Sequence, residues 1–323
     1  MINHDLLKRA TETPSVGTAC LPVLNVFAEQ LGPGFTCTYV ADGFCLFQKH
    51  GRDATQLKAV LVAHVDEIGG VTYGKSESGG FITRVWGAEP SLFESADLQA
   101  YDYLDDGSSS AYQVSARVEK IGDENRLIIF GDRIKPYRTV FTFKTATEFD
   151  GDYIIAKAVD PRVTAYCTIE ALKRLDNADV GVVLVMAEEC AMDVARKAVT
   201  YLARHSADLR LVVNADVPLV SNLGDGRLDT PAIRIFEGRN FIDPSFGIKI
   251  ADRMTAAGVV SHLSAARSGS QTILFTPLAP TISVALPGEE IHTPKGRMSL
   301  TGISRCIDLL TAIVVDQLKH AGQ

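Results

Sequence analysis

Along the chain, short and largely apolar runs alternate with longer segments in which apolar residues recur at three- and four-residue spacing. Leu57 to Val62, Tyr153 to Val159, Val182 to Ala187, Leu209 to Val213 and Ile282 to Leu286 are of strand length, and they predict strands buried on both faces. Ala232 to Phe236 adds another strand, and Phe35 to Phe47, with Asp42-Gly43 as a turn in its middle, reads as two short strands. Helical spacing covers residues 5–31 in two pieces that break at Thr13-Pro14. Pro22 is tolerated because it stands near the start of the second piece. Further helices are predicted over Pro161 to Leu175, Met192 to His205, Gly247 to Ala257 and Ser299 to Lys319. Strands alternating with helices of this length imply an α/β fold with a mixed, largely parallel sheet flanked by helices.

Residues 71–150 break that rhythm. Val114 to Ile121 and Thr139 to Phe143 alternate, and Leu127 to Phe130 is a short apolar run. Turn signals stand between such runs at Gly79-Gly80, Asp105-Asp106-Gly107, Gly122-Asp123 and Gly131-Asp132. Little of this reads as helix. The expected organisation is a small, barrel-like β domain at 71–150 inserted into a larger domain built from 1–70 and 151–323.

Candidate chemistry stands where the apolar runs stop. Val60-Leu61-Val62 leads to His64, Tyr153 to Val159 leads to Asp160, and Val182 to Met186 leads to Glu188-Glu189. Leu211-Val212-Val213 leads to Asp216, and Ile282 to Leu286 leads to His292 through Pro287-Gly288-Glu289-Glu290. Carboxylates and imidazoles directly after buried strands are costly unless paired or bound to metal. In a parallel sheet these ends converge on the edge where ligands bind. Two His, two Asp and one Glu suit Zn, Mn or Co. Five donors exceed the need of one tetrahedral zinc and fit two ions that share a carboxylate. A second Glu beside them is placed to take a proton from a water and return it to a leaving group. Asp66, two residues after His64, is placed to hold the other ring nitrogen. Taken singly, Asp160 also reads as a helix cap before Pro161, and Glu188-Glu189 as a solvated turn.

Composition narrows the setting. The chain has 323 residues, 46% of them hydrophobic and 22% charged, with a formal net charge of −7, and no Lys/Arg-rich run marks a nucleic-acid surface. No apolar run is long enough to span a bilayer, and the first residues lack the apolar core of a signal peptide. The six cysteines form no Cys-x-x-Cys pair, so they read as reduced, mostly buried thiols of a cytoplasmic protein. Ser268-Gly269-Ser270-Gln271 reads either as pocket lining or as a plain loop. Gly224-Asp225-Gly226 is a turn and not a phosphate loop.

His-Val-Asp-Glu-Ile-Gly at 64–69, Val-Asp-Pro-Arg at 159–162, Ala-Glu-Glu at 187–189, Ala-Asp-Val at 215–217 and Ile-His-Thr-Pro at 291–294 resemble, in order and spacing, the motifs of the tetrahedral aminopeptidases. That family, metallopeptidase family forty-two, includes glutamyl aminopeptidases and proteins labelled endoglucanases. The resemblance implies a dinuclear aminopeptidase fold interrupted by a β domain. It implies two divalent ions per subunit, most simply zinc, with cobalt and manganese as alternatives. His64 and Asp216 would bind one ion, Glu189 and His292 the other, and Asp160 would bridge. Glu188 would be the general base and Asp66 would orient His64. Peptides are the implied substrates, and the implied assembly is a homo-oligomer, either a dodecamer or something smaller, because the insertion is short for the family. Glu67 is a candidate to receive the substrate's free α-amine. Where the family has a polar or acidic residue joined by a cis bond after the bridging Asp, this chain has Pro161. Cis costs proline only about 0.5–1 kcal/mol, so Asp160-Pro161 reads either as that cis bond or as a trans helix start. The alternatives are a non-catalytic metal- or peptide-binding member and a glycoside hydrolase. The latter needs two carboxylates flanking a sugar bond and usually no metal pair.

Overall fold

The computed structural model describes residues 2–104, 110–175, 179–223 and 226–320. The turn expected at Asp105-Asp106-Gly107 lies outside the described residues, as do the first two residues of Gly224-Asp225-Gly226. Helix α1 (His4–Glu12) opens at Asn3, whose side chain accepts from the Leu6 N–H, and α2 (Leu21–Leu31) carries its proline in the first turn. Strands β1 (Phe35–Val40) and β2 (Phe44–Lys49) pair antiparallel around Asp42, which has φ 52°. Strand β3 (Ala59–His64) then runs through the core.

The next stretch is a closed barrel. It comprises β4 (Gly69–Lys75), β5 (Phe81–Trp86), a short helix α3 (Pro90–Glu94), β6 (Leu98–Asp102), β7 (Tyr112–Ile121), β8 (Glu124–Phe130) and β9 (Thr139–Phe143), closed in the order β4-β5-β8-β7-β6-β9. Gly69 and Gly70 start it because nothing larger fits: a Cβ would lie 2.4 Å from the Phe141 carbonyl oxygen at Gly69 and 2.6 Å from that of Arg84 at Gly70. Helix α3 was not legible in the sequence. Its Phe93 fills the barrel end, stacked on Phe143 with ring centroids 4.7 Å apart.

The chain returns through β10 (Glu148–Asp150), β11 (Tyr153–Ala156), α4 (Val159–Arg174), β12 (Val180–Val185), α5 (Glu188–Ala191), α6 (Ala195–His205) and β13 (Leu211–Asp216). It then runs through β14 (Ala232–Glu237), β15 (Asn240–Phe241), α7 (Pro244–Ala256), β16 (His262–Ala266), α8 (Thr272–Phe275), β17 (Thr281–Ala285), β18 (Gly296–Ser299) and α9 (Leu300–His320). The main sheet has the order β1-β2-β12-β3-β13-β17-β14-β15, with β16 beside β14. Strands β12, β3, β13 and β17 are mutually parallel, and β2 and β14 flank them antiparallel. The fold is therefore the expected mixed, largely parallel α/β sheet with a β-barrel.

Why β3 is apolar up to His64 follows from its two covers. Leu61 and Ala63 pack with Phe27 of α2, Val163 of α4 and Leu310 of α9. Val60 and Val62 pack with Ala198 and Leu202 of α6 and with Phe275 of α8. Each such side chain contributes about 1.5–3 kcal/mol on burial. Leu61→Ala would cost about 2–5 kcal/mol through the cavity it leaves.

Two expectations are corrected. Tyr153 to Val159 is not a strand of the main sheet: β11 ends at Ala156 and pairs only with β10 and β18 in a separate antiparallel sheet. Lys157 turns inward to a buried carboxylate and Ala158 adopts φ 52°, ψ 28°, which ends the extended run before Asp160. The thiols are not all free either. The β1–β2 hairpin sets Cys37 and Cys45 on diagonal positions, Cα atoms 6.4 Å apart, and they form a disulfide. Counting only close Cys spacings missed a pair that the hairpin turn brings together.

Candidate metal centre

Four of the expected donors leave the carboxyl ends of parallel strands. His64 ends β3, Asp216 ends β13, Glu189 follows β12 next to the expected base Glu188, and His292 follows β17 after the Pro287–Ile291 loop. The fifth, Asp160, comes from the kink at the head of α4. It is extended at φ −87°, ψ 115°, as a residue before proline should be, and the Asp160-Pro161 peptide is cis. The structure brings all five together with Glu188 and Asp66.

Asp160 divides the cluster. Its Oδ1 lies 3.1 Å from His64 Nε2 and its Oδ2 lies 3.4 Å from His292 Nε2. On the first side, His64 Nε2 is 3.6 Å from Asp216 Oδ1 and 4.0 Å from Glu188 Oε2. On the second, His292 Nε2 is 3.1 Å from Glu189 Oε1. His64, Asp160 and Asp216 form one group whose donor atoms lie within 4.8 Å of each other, and Asp160, Glu189 and His292 form another.

Both imidazoles have their other nitrogen occupied. His292 Nδ1 lies 2.9 Å from the carbonyl oxygen of Gly87, which only accepts, so Nδ1 carries a proton and Nε2 is the nitrogen turned toward the cluster. Gly87 follows β5, so the barrel helps orient this histidine. His64 Nδ1 faces Asp66 Oδ1 at 3.4 Å. Asp66 does more than the sequence indicated: it also accepts the backbone N–H of Glu188 at 2.9 Å and of Glu189 at 3.2 Å. One buried carboxylate thereby ties the β3 end to the start of α5.

The donor set fits divalent ions on three observations. Both Nε2 atoms point inward, at the carboxylates. Asp160 offers one oxygen to each group. Glu189 Oε1 is buried and has no well-formed hydrogen bond, and its near neighbour is His292 Nε2 at 3.1 Å. Two such groups are joined at low cost only by a proton or a cation between them. The charges tell the same story. Burial lifts the Glu188 carboxyl to about 8, with His64 opposing and Asp216 and Glu189 adding to the rise. Burial, countered by His292 and reinforced by Asp160, lifts Glu189 to about 7. Burial opposes charge on His292, but Asp160 and Glu189 raise it to about 11. Burial alone would raise Asp216, yet the His64 imidazole and the Arg234 guanidinium hold it well below the usual carboxylate range. Protons here offset crowded carboxylate charge that bound cations would also offset.

A cavity of about 340 Å³ opens over these residues, walled by Val217, Pro218, Leu219, Asn222, Ser268, Gly269 and Glu290 to Thr293. Ser268 and Gly269 thus line it, whereas Ser270 and Gln271 are buried behind, bonded to Asn214, Glu237 and Thr272.

Glu67 is not in the cavity. It is 1% exposed and bound to Lys157 Nζ at 2.6 and 2.7 Å, to the Ser15 N–H at 3.0 Å and to the Thr142 hydroxyl at 2.8 Å. Arg162 Nη2 stands 3.4 Å away. A carboxylate so occupied has nothing left for a substrate amine, which corrects that expectation. Sequence reasoning also missed the cations themselves. Lys157, Arg162 and Arg234 interrupt apolar segments, and a charge inside a buried run was the available signal.

The fold and the donor set define a candidate metallohydrolase with its centre at the sheet edge. The chain belongs to the M42 glutamyl aminopeptidase family, which matches residues 124–309. It is a peptide-bond hydrolase of the aminopeptidase type, and membership implies divalent metal ions. No curated protein matches the sequence. Among solved structures, the TET1 peptidase of Pyrococcus horikoshii, described as assembling into a tetrahedron or a large octahedral shell, is similar with a TM-score of 0.79 at 18% identity, over 96% of this chain and 98% of its own. A TET aminopeptidase from a marine-sediment Thaumarchaeota archaeon gives 0.80 at 14% identity, over 97% and 96%. An endoglucanase from Thermotoga maritima gives 0.68 at 16% identity, over 95% and 96%. At these identities the likeness is one of fold. Among the described residues no helix is long and apolar enough to cross a membrane.

Proposed function

We propose that the chain is a dinuclear metal-dependent aminopeptidase that removes the N-terminal residue of peptides. The single observation carrying this reading is the division of Asp160, one oxygen to each donor group. His64 and Asp216 would hold one divalent ion and Glu189 and His292 the other, with Asp160 between; zinc, cobalt and manganese suit the set. When bound, such a pair polarises the scissile carbonyl and acidifies water. Glu188 takes the proton of the attacking water and hands it to the departing amine. Its carboxylate stands 4.0 Å from His64 Nε2, beside both donor groups, within reach of a water held there. Asp66 fixes the His64 ring and, through two backbone N–H groups, the placement of Glu188 and Glu189.

The wall beyond the polar floor is formed by Val217, Pro218, Leu219 and Ile291, and no Lys or Arg among the described residues lines the cavity. An apolar N-terminal side chain fits it better than an acidic one, despite the glutamyl name of the family. We take 1–70 and 151–323 as the catalytic domain of a cytoplasmic enzyme and 71–150 as the inserted domain that serves oligomerisation or substrate access. A homo-oligomer is supported by the similar peptidases described as a dodecamer and as a tetrahedron or octahedral shell.

The test is a panel of aminoacyl chromogenic amides with protein stripped by chelator and reloaded with zinc, cobalt or manganese, beside a cellulose oligosaccharide. Amide turnover lost on stripping, restored by metal and fastest for leucyl or related substrates is the expected result. Chelator-resistant sugar cleavage would instead establish a glycosidase. Silence toward both, with metal bound, would point to a narrow substrate or a non-catalytic member.

A further inference from the structure

The two donor groups are not equal in charge. Arg234, in the middle of β14, is 1% exposed. It reaches past β17, where its Nε donates to Ser283 Oγ at 2.9 Å, and its Nη2 lies 3.1 Å from Asp216 Oδ2 and 2.8 Å from Glu237 Oε1. Nη1 is buried without a hydrogen bond, so these contacts are its polar compensation. Glu237 is fixed in turn by the hydroxyls of Ser270 at 2.8 Å and Thr272 at 3.3 Å. The guanidinium is locked behind Asp216. In the other group, among the described residues, Glu189 and Asp160 pair only with imidazoles.

We propose, resting on the dinuclear reading above, that Arg234 is a positioning residue that occupies one oxygen of Asp216 as a resident cation, making the His64–Asp160–Asp216 group the weaker of the two ion sites. Only Oδ1 of Asp216, the oxygen facing His64, is left to ligate. The fixed positive charge opposes a second cation at the same carboxylate. Glu237 shares that charge and moderates it, so Glu237 sets how far the site is weakened. The same arginine compensates Asp216 while the ion is away, which keeps the unloaded site folded.

The experiment is calorimetric titration of the stripped full chain with Co²⁺, followed in parallel by the visible absorption of the bound ion. The unmodified protein should show two unequal steps. Glu237→Gln leaves the whole guanidinium charge on Asp216 and should weaken the weaker step by about threefold to tenfold, leaving the tighter step unchanged. Arg234→Met combined with Glu237→Gln should strengthen the weaker step by about tenfold. It should also make the stripped protein melt lower, with the loss recovered on adding cobalt. A structural disturbance alone would weaken binding in both variants, so opposite signs carry the inference. If the double variant does not fold, the inference stands only where Glu237→Gln weakens the weaker step and leaves the tighter step and the melting of the stripped protein unchanged; weakening of both steps overturns it. Two bound ions with equal steps, or an unmoved weaker step in Glu237→Gln, overturn the role of Arg234 and leave the dinuclear reading standing. A single bound ion in the unmodified protein overturns that reading as well.

Discussion

Asp66→Asn is the sharpest perturbation of the centre that leaves every expected ligand in place. The side chain is fully buried and keeps its shape. In the parent, Oδ1 accepts the Glu188 N–H at 2.9 Å and faces His64 Nδ1 at 3.4 Å, while Oδ2 accepts the Glu189 N–H at 3.2 Å. An amide can place its oxygen on only one side. If the oxygen keeps Glu188 and His64, the NH₂ meets the Glu189 N–H donor to donor and strands a buried N–H, at about 1–3 kcal/mol. The contacts retained also lose the advantage of an ionised acceptor, so the total cost is about 2–4 kcal/mol. With an unfolding entropy of about 2.1 cal/mol/K per residue, 1 kcal/mol moves the midpoint of a chain this long by about 1.5 °C, and the stripped variant should melt about 3–6 °C lower. The function-specific effect is larger. It comes from charge: with a neutral amide oxygen in place of the carboxylate opposite Nδ1–H, His64 is a less basic ligand, and metal affinity should fall about 10–100-fold. Thermal melting with cobalt titration measures both, and the ratio of kcat to KM at saturating metal reads Glu188 placement. A variant that melts like the parent and binds cobalt equally well would refute Asp66 as the organiser of the site.

Three further outcomes follow from the same geometry. Glu188→Gln should retain both ions and lose about 10²–10⁴-fold in kcat, because Glu188 moves the proton without ligating; unchanged turnover would remove it as general base. Glu67→Gln leaves buried Lys157 poorly compensated and should cost about 3–5 kcal/mol in chemical denaturation with KM for the amide unchanged; a raised KM at parental stability would instead return Glu67 to amine recognition. Stability of the stripped protein should fall as pH rises. Glu189 and Glu188 sit at about 7 and about 8 when folded, against 4.5 for the free group, and His292 at about 11 against 6.5. All three bind protons more tightly folded than unfolded, so their stabilisation is full below pH 4.5 for the glutamates and 6.5 for His292 and is lost through the folded values. Melting between pH 6 and 9 should therefore drop without metal and stay nearly level with it.

Much of the fold was legible because periodicity and burial coincide. Runs such as Val60-Leu61-Val62 are apolar throughout because both faces are covered, and a parallel sheet demands that. The centre was legible because parallel strands deliver their ends to one edge, which turns scattered polar residues into neighbours. Asp160 shows where that logic stops: it reaches the cluster from a helix kink after a strand of a different sheet. Glu67 shows a second limit. A carboxylate one residue from Asp66 points away from the cavity into a cationic pocket made by Lys157 and Arg162, residues about 90 positions distant. Periodicity carries no information on such long-range pairings. Arg234 was visible only as an anomaly in an apolar strand, and its partner Asp216 could not be assigned until β17 was placed between them.

The most direct test of the central claim, a carboxylate shared between two ions, is metal content per chain by elemental analysis of the reloaded protein and two variants. We expect two ions in the unmodified chain, about one in His292→Ala, and a loss of both in Asp160→Ala, since each group contains Asp160. Full retention of one ion in Asp160→Ala, with the protein folded, would contradict the shared centre.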